Sequence, residues 1–239
     1  MWYLINRFLK RFFDIVICSV AMIILIPVWI IVAIAIKCDS KGPVFFVQER
    51  LTKDGRRFKM YKFRTMIVNA ESMGAGLFNY ENDPRVTKIG RFLRNSSIDE
   101  LPQVWNVVKG DLSIVGPRPC VTYELGDYAT LNKKYKKRFE VRGGITGLAQ
   151  VKGRNENSWD EKITYDNQYI ELFKKQGIWL DIKIILETVA QVFKKQNIYE
   201  VKEDESMSHM EAARLAQEEI IRIAHLPDEK PEKNTKILN

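Results

Sequence analysis

Residues 15–36 read IVICSVAMIILIPVWIIVAIAI, an apolar run without a charged side chain. As a helix this run measures about 33 Å, which is enough to cross the hydrocarbon core of a bilayer. It has no polar face, which argues against a helix in the core of a soluble domain. No small-residue cleavage site follows it, which argues against a cleavable signal peptide. The run therefore predicts a membrane-inserted helix.

The flanks of this run and the proline inside it bear on how the helix sits in the membrane. Basic residues on both sides favour the cytoplasmic face for both ends. Pro27, near the middle, removes one helical hydrogen bond and favours a bend. Two topologies stay open: a re-entrant helix that leaves by the face it entered, and a kinked helix that crosses the bilayer. The basic residues are Arg7, Lys10 and Arg11 before the run and Lys37, Lys41, Arg50 and Lys53 after it.

The overall composition narrows the chemistry. The 239-residue chain carries a net charge of +8, which indicates an anionic partner such as a nucleic acid, a phosphorylated ligand or an anionic membrane face. Its two histidines, His209 and His225, both lie in the C-terminal tail. Histidine triads and HExxH zinc sites are therefore excluded from the main body, and no P-loop or Rossmann pattern is present. Chemistry must rest on Asp, Glu, Lys, Arg or Tyr side chains.

Beyond the apolar run, the pattern predicts a mixture of short elements. Residues 42–66 alternate apolar and polar side chains around an Asp-Gly turn, which is typical of a β-hairpin. The hairpin is rich in Lys and Arg and predicts a basic surface next to the bilayer, attractive to anionic lipid. Residues 67–90 predict a long loop, 141–155 a glycine-rich binding loop, and the chain from Val201 a charged appendage outside the chemistry. Helices are predicted at 88–95, about 99–109, 121–140, 159–175 and 179–195.

Residues 96–119, SSIDELPQVWNVVKGDLSIVGPRP, contain the adjacent carboxylates Asp99 and Glu100. One interpretation is structural: Ser97 and Glu100 fit a capping box. Alternatively, the helix begins near Pro102. Both place Asp99 at a helix N-terminus, where the dipole favours an ionised carboxylate of low pKa. Such a group can act as a nucleophile or as a ligand of Mg²⁺, and Arg118, held between two prolines, suits a phosphate.

Several long motifs occur in a characteristic order between about residue 10 and residue 195. They are KRFFD, GPVFFVQER, FKMYKFRTM, NDPRVTKIGRFLRNSSIDELPQVWNVVKGDLSIVGPRP and GITGLAQVKGRN. On these motifs the chain resembles the monotopic phosphoglycosyl transferases, a family of bacterial sugar transferases. Two positions depart from the family pattern. Ile26 precedes Pro27 where serine is common, and Gly143 stands where the family tends to have proline.

The resemblance implies an enzyme that transfers a sugar 1-phosphate from a UDP-sugar to undecaprenyl phosphate and releases UMP, the first step of glycoconjugate or exopolysaccharide synthesis. It implies Mg²⁺ as cofactor and a covalent phosphosugar intermediate on Asp99, with Glu100 as partner in metal or proton handling. It further implies that a group of basic residues binds substrate phosphates and that a loop binds the nucleotide-sugar. The basic residues are Arg94, Arg118, Lys62 and Arg64; the loop residues are Gln150 and Arg154.

The expected fold class is α+β and mostly helical, with surface-lying amphipathic helices around a cytoplasmic catalytic core. Residues 1–40 form the re-entrant membrane helix, 41–200 the sugar-phosphate transferase domain and 201–239 a charged amphipathic or disordered tail. The expected location is the bacterial inner membrane, with UDP-sugar, undecaprenyl phosphate and anionic inner-leaflet lipids as partners and no nucleic acid. The choice of UDP-sugar, the pathway and the oligomeric state stay open.

Two rival hypotheses remain at this point. One is a membrane-tethered module that binds anionic lipid or nucleic acid without catalysis, which predicts no dependence on Mg²⁺. The other is a transferase that uses the same substrates without a covalent intermediate, with Asp99 only as a metal ligand. Trapping a phosphosugar on the protein distinguishes the second rival from the leading hypothesis.

Overall fold

The protein is described from a computed structural model that covers residues 1–73, 83–153, 158–194 and 209–228. The described residues form a mostly helical α+β structure with two small two-stranded sheets, as the sequence predicts. The helices are α1 (Trp2–Asp39), α2 (Lys88–Asn95), α3 (Gln103–Lys109), α4 (Lys133–Lys136), α5 (Leu148–Lys152), α6 (Trp159–Gln176), α7 (Ile178–Lys194) and α8 (His209–Ala224). The strands are β1 (Phe45–Leu51), β2 (Arg57–Phe63), β3 (Ser113–Val115) and β4 (Gly144–Thr146).

Helix α1 contains the apolar run and continues through Pro27. Within the described residues it is the one helix long and apolar enough to cross a membrane, by length and composition. Only 11% of its most apolar window is buried, so α1 is not the core helix of a soluble domain. Its few buried residues lie along one face, which packs on the globular part: Asn6, Asp14, Cys18, Val32 and Ile36.

Both ends of α1 lie against the globular part. Near its start, Asn6 Oδ1 accepts a hydrogen bond of 3.1 Å from the backbone N–H of Ile178 at the beginning of α7. Near its end, Asp39 Oδ2 accepts one of 3.0 Å from the backbone N–H of Ile89 in α2. Arg64 donates to the backbone carbonyl of Ser40 at 2.7 Å and so holds the residue that follows the helix.

The predicted hairpin is confirmed. β1 and β2 pair antiparallel, with Phe45 opposite Phe63 and Leu51 opposite Arg57. The turn contains Asp54 at φ 58 and Gly55 at φ 71, the left-handed region that aspartate tolerates and glycine favours. The side chain of Asn106 in α3 fastens β2 to that helix by accepting from Tyr61 N at 3.1 Å and donating to Lys59 O at 2.7 Å.

Three of the predicted helices agree closely with α2, α6 and α7, but the helix predicted at 121–140 is wrong. The side chain of Asp127 accepts from the backbone N–H of Ala129, and that of Asn132 accepts from Tyr135. Such local bonds end and restart the helical turns, so that a continuous helix does not form. The segment contains a 3₁₀ turn at Tyr128–Thr130, the short α4 and a second 3₁₀ turn at Lys137–Glu140.

The segment 141–155, expected to be an irregular loop, contains β4 and α5 within its described residues. β4 pairs parallel with β3, with Ser113 opposite Gly144 and Val115 opposite Thr146. A Cβ on Gly144 would lie 2.1 Å from the backbone nitrogen of Gly116. The backbones of these two segments therefore approach at a distance that only glycine allows. This pairing brings the GITG and GPRP segments together.

Candidate active site

The acidic pair lies in a single 3₁₀ turn, Ile98–Glu100, between α2 and α3. Ser97 begins this turn in the left-handed conformation at φ 57 and makes no capping hydrogen bond with its side chain, so the capping-box interpretation is wrong. The alternative is confirmed: Pro102 directly precedes Gln103, the first residue of α3. Asp99 is thus not at the N-terminus of a regular helix.

Glu100 is held by two cations from distant parts of the chain. Its Oε1 atom accepts from Lys62 Nζ of β2 at 2.9 Å and from Arg118 Nη2 at 2.7 Å. Burial by itself raises the pKa of Glu100, but the charges and hydrogen bonds of Arg118 and Lys62 outweigh burial and hold this pKa well below its usual range. Glu100 is therefore ionised and balanced by positive charge.

Asp99 has the opposite electrostatic state. Within the described residues its carboxyl group accepts no hydrogen bond and forms no ion pair. Burial raises its pKa to about 6, with the negative charge of Glu100 adding to burial while Lys62 opposes it. The expectation of a low pKa from a helix dipole is therefore wrong, because the desolvation of a half-buried turn dominates. A carboxylate without partners and with a raised pKa is a better nucleophile than one neutralised by a cation.

The two prolines beside Arg118 keep its backbone rigid, and a buried ion pair fixes it further. Arg138 Nη2 donates to the carbonyl of Arg118 at 2.6 Å and lies 2.9 Å from Asp166 of α6. Both side chains of this pair are at most 3% exposed. The sequence contains no local signal for the Arg138–Asp166 pair, because its partners come from separate elements that only the fold brings together.

A cavity of about 1,420 Å³ opens in front of the acidic pair. It exceeds the roughly 300–1,000 Å³ of ordinary small-molecule sites, so it has room for a nucleotide-sugar and part of a second substrate. Its wall is basic beside the carboxylates and apolar farther away. The predicted site residues in its lining are Lys62, Arg64, Arg94, Asp99, Glu100, Arg118 and Gln150.

These predicted residues differ in how they face the cavity. Arg94 Nε donates to Thr65 Oγ1 at 2.9 Å, which orients its guanidinium. Both terminal nitrogens of Arg64 donate to Ser40 or Lys41, so this arginine holds the end of α1. Within the described part, the amide nitrogen and oxygen of Gln150 are buried without a hydrogen-bond partner. Arg154 lies outside the described residues.

The C-terminal helix α8 also lines the cavity, whereas the sequence predicts the tail only as a charged appendage outside the chemistry. Gln217 of α8 donates to the carbonyl of Glu124 at 2.7 Å, and Ala224 is fully buried. Ala224 packs in a core cluster with Leu131 and Phe139. The residues of α8 in the cavity wall are Ala216, Gln217, Glu219, Ile220 and Ile223. Sequence reasoning missed this role, although the apolar spacing of Ile220 and Ala224 was a signal.

The donor atoms suit a magnesium ion that also binds a substrate. In the described part of the chain, no group of three or more Asp, Glu, His or Cys side chains could hold a metal by itself. Mg²⁺, however, is commonly bound by one or two carboxylates together with water and phosphate oxygens. Asp99 and Glu100 supply these two carboxylates, Glu100 through its second carboxylate oxygen. The residues therefore fit a metal that arrives with a diphosphate.

Comparison with known proteins connects this geometry to a family. The sequence pattern named bacterial sugar transferase matches residues 5–195. The chain is 44% identical over 200 residues to the UDP-glucose:undecaprenyl-phosphate glucose-1-phosphate transferase of Klebsiella pneumoniae, covering 82% of the chain and 42% of that protein. It is 38% identical over 208 residues to the UDP-galactose-lipid carrier transferase of Erwinia amylovora, covering 81% of the chain and 42% of that protein.

A third relative is the undecaprenyl-phosphate galactose phosphotransferase of Salmonella typhimurium, 38% identical over 208 residues, with 81% of the chain and 42% of that protein covered. The chain spans about two-fifths of the length of these curated relatives. The matched region includes the acidic pair, the cations that hold it and the N-terminal apolar helix, which is consistent with a membrane location. On this similarity, the chain belongs to the bacterial sugar transferase family.

Proposed function

We propose that this protein transfers a sugar 1-phosphate from a UDP-sugar to undecaprenyl phosphate, through a covalent intermediate on Asp99. The observation that carries the proposal is the contrast within the acidic pair. Glu100 is neutralised by Lys62 and Arg118, whereas Asp99 faces a large cavity with no partner in the described residues. The names of the relatives supply the substrate class, and similar identity to glucose and galactose enzymes leaves the sugar open.

In the first step a carboxylate oxygen of Asp99 attacks the phosphorus that carries the sugar. The new O–P bond forms as the bond from this phosphorus to the bridging oxygen of UMP breaks, and UMP leaves. In the second step a phosphate oxygen of undecaprenyl phosphate attacks the same phosphorus and releases Asp99. Dividing the transfer in this way lets a water-soluble donor and a lipid acceptor react at one carboxylate at different times.

The cations around the pair bind the phosphates. Arg118 and Arg94 lie beside the carboxylates in the cavity wall and offer planar groups that suit phosphate oxygens. Lys62 adds a charge that balances the diphosphate. Gln150 offers two buried polar atoms to the nucleotide-sugar. Asp99 and Glu100 would hold Mg²⁺, which would supply positive charge to neutralise the diphosphate.

The membrane arrangement belongs to the same proposal. Both ends of α1 contact the globular part, which supports a re-entrant helix bent near Pro27 with its ends on one face. On α7, apolar side chains at helical spacing are exposed and suit a surface-lying helix: Trp179, Ile182, Leu186 and Val189. The basic hairpin favours anionic lipids of the inner leaflet. The enzyme would then work at the bacterial inner membrane with its catalytic part in the cytoplasm.

The test is a single-turnover experiment with the full chain in detergent, Mg²⁺ and a UDP-sugar carrying ³²P in the phosphate next to the sugar. Without acceptor, we expect a burst of UMP and one labelled phosphosugar on the protein. Asp99→Asn should abolish both, while Asp54→Asn, an exposed hairpin residue, should abolish neither. Since the donor sugar is open, the measurement uses a panel of UDP-glucose, UDP-galactose and their N-acetyl forms.

The outcomes separate the rival hypotheses. Transfer to undecaprenyl phosphate without a labelled protein or a UMP burst would mean direct transfer, with Asp99 only a metal ligand. No UMP release from any donor, with or without acceptor and Mg²⁺, would favour a binding module. Normal turnover by Asp99→Asn would remove the nucleophile assignment.

A further inference from the structure

A second, smaller cavity lies beside the N-terminal half of α1. Its volume is about 50 Å³, and in the described chain it shares no lining residue with the large cavity. Five basic side chains line it, against a single acidic one, Asp14. They are Arg7, Lys10, Arg11, Lys53 and Arg142.

Two of these five charges and the one acid already have partners. Lys10 pairs with Asp181 at 2.6 Å, and Lys53 pairs with Asp54 at 3.0 Å. Asp14 accepts hydrogen bonds from the hydroxyl of Ser113 and the backbone N–H of Ile114. These pairs stabilise the fold. Three guanidinium groups remain, those of Arg7, Arg11 and Arg142.

Arg7, Arg11 and Arg142 form no ion pair with any carboxylate in the described part of the chain. Arg11 donates to the carbonyls of Leu112 at 3.3 Å and Val108 at 3.4 Å. Arg142 Nε donates to Gly110 O at 3.0 Å, and Arg7 lies over the ring of Tyr3, 5.5 Å from its centre. Their contacts are with neutral groups, so three positive charges stand together with Asp14 as the one carboxylate in the described lining of the cavity.

This accumulation of charge has an energetic cost that an anion would relieve. Burial lowers the pKa of Arg142, and the nearby positive charges of Arg11, Arg7 and Arg56 lower it further, while the charge of Asp14 opposes this lowering. A phosphate between the guanidinium groups would replace this repulsion with charge-assisted hydrogen bonds. A cavity of about 50 Å³ also exceeds the roughly 10–15 Å³ of probe-occupied volume that one water requires, so it can hold a group with several oxygens.

The cavity lies at the depth expected of a lipid headgroup. Arg7 and Arg11 are one helical turn apart on α1, and Arg11 precedes the apolar run by about 6 Å along the helix. Aromatic side chains that suit the membrane interface are exposed around them: Trp2, Phe8, Phe12 and Phe13. A lipid phosphate is therefore the anion that the position favours over a free ion.

We propose that Arg7, Arg11 and Arg142 form a binding site for the phosphate group of an anionic lipid, separate from the substrate cavity. The site joins α1 to the segment just before β4, so an occupied site fastens the membrane helix to the catalytic part. It does not depend on the catalytic role of Asp99. A free phosphate offers the same chemistry, and the experiment separates the two sources.

The experiment measures the thermal midpoint of the full chain in a non-ionic detergent, followed by tryptophan fluorescence, as a probe is added. The probes are dioctanoyl phosphatidylglycerol, dioctanoyl phosphatidylcholine and inorganic phosphate. A ligand that binds the folded state raises the midpoint, and the stabilisation grows with the logarithm of one plus the ratio of ligand concentration to Kd. We expect phosphatidylglycerol to raise it most.

The variants are Arg7→Gln and Arg142→Gln. Each variant is compared with its own thermal midpoint in the absence of probe, so a lower baseline stability does not affect the comparison. We expect the concentration of phosphatidylglycerol needed for a given rise in the midpoint to increase about tenfold or more in each. Arg142→Lys keeps the charge and should lose less. Arg91→Gln removes an equal charge from the exposed face of α2, near the other end of α1, and should behave as wild type.

Each result decides something. Equal stabilisation by inorganic phosphate, dependent on the same arginines, would assign the site to a free phosphate. Equal stabilisation by phosphatidylcholine would mean that negative headgroup charge is irrelevant, which overturns the anionic-lipid assignment. If Arg7→Gln and Arg142→Gln respond to phosphatidylglycerol as Arg91→Gln does, the site itself is refuted.

Discussion

Asp99 and Glu100 are neighbours in the chain, yet their carboxyl groups are in opposite electrostatic states. Glu100 is held by Lys62 and Arg118, whereas Asp99 is desolvated and has no partner among the described residues. Glu100 therefore takes up the ion pairs of this turn, and in the described structure Asp99 is left without one. This division of labour explains how a strongly basic site can contain a carboxylate that is not neutralised by an ion pair.

The pKa of Asp99 makes the first chemical step dependent on pH. Because burial raises this pKa to about 6, the carboxyl group is protonated below that pH and is then not a nucleophile. We expect the second-order rate constant of UMP release at low UDP-sugar concentration, which reports the free enzyme before the diphosphate and its metal bind, to fall about tenfold per pH unit below pH 6 and to level off above it. Stopped-flow measurement of UMP release gives this profile.

A pair of lysine variants tests the cause of that profile. Lys62 lowers the pKa of Asp99, so Lys62→Met should shift the midpoint of the profile to higher pH. Lys59→Met, an exposed position on the same strand, should leave the midpoint unchanged. A midpoint near 4 in the wild-type protein would contradict the electrostatic state assigned to Asp99.

Asp99 should also lower the stability of the folded protein at neutral pH. Its pKa is raised on folding, so the folded state binds the proton more tightly, and stability decreases as the pH rises through the interval between about 4 and 6. Asp99→Asn removes the buried charge and should raise the free energy of unfolding at pH 7 by at most about 3 kcal/mol. The gain should vanish near pH 4. Thermal unfolding of both proteins at the two pH values measures it, and a lower midpoint for the variant at pH 7 would contradict it.

At the scale of elements, α8 closes part of the cavity although it lies beyond the family match at 5–195. Its attachment is specific: Ala224 is buried, Asn132 N–H donates to the carbonyl of Ala224 at 3.0 Å, and His225 contacts the carbonyl of Leu125 at 2.9 Å. A substitution that removes binding common to the ground state and the transition state raises KM and leaves kcat unchanged.

Ala224→Asp should detach α8, because the new carboxylate would be buried in an apolar cluster. We expect faster proteolysis within residues 209–228 and a KM for a substrate raised about tenfold, with kcat changed less. Leu215→Asp adds the same charge at an exposed position on the same helix and serves as the control. Unchanged KM values in a variant whose α8 is cleaved would show that this helix does not shape substrate binding.

At the scale of the whole molecule, α1 contacts the globular part at both ends. A helix that crossed the bilayer would carry one of those ends to the opposite face, away from Asp181 or Ile89. In the proposed re-entrant arrangement the contacts of Lys10 and Asp39 both lie on one bilayer face, because the helix returns to the face that it entered. Pro27 is the position in α1 where a bend costs least.

We expect single cysteines at Trp2 and at Asp228 to be labelled on the same side. With the exposed Cys38 replaced by Ser, an impermeant maleimide should reach neither in intact cells and both after permeabilisation. Pro27→Ala should let α1 straighten and expose position 2 to the outside in part of the population. Labelling of Trp2→Cys in intact cells, in the protein that keeps Pro27, would instead establish a crossing helix.

Local patterns were enough for several elements. The charge-free run, the Asp-Gly turn between alternating strands and the apolar spacing of α2, α6 and α7 are properties of neighbouring residues, and each is confirmed. The family motifs likewise pointed to Asp99 and Glu100. The helix at 121–140 failed because side chains of Asp127 and Asn132 compete for backbone donors, a balance that periodicity does not register.

The amino-acid sequence by itself determined which residues could carry the chemistry: no histidine in the body of the chain, an acidic pair at Asp99 and Glu100 inside the family motifs, and basic groups to bind phosphate. Only the tertiary structure decided the ion pairing, burial and pKa of those residues. Lys62 and Arg118 reach Glu100 from β2 and from the GPRP turn, and the parallel pairing of β3 with β4 positions that turn. Desolvation of Asp99 depends on all of these contacts at once. A pKa is set by burial and by charges from distant segments, which become neighbours only when the chain folds.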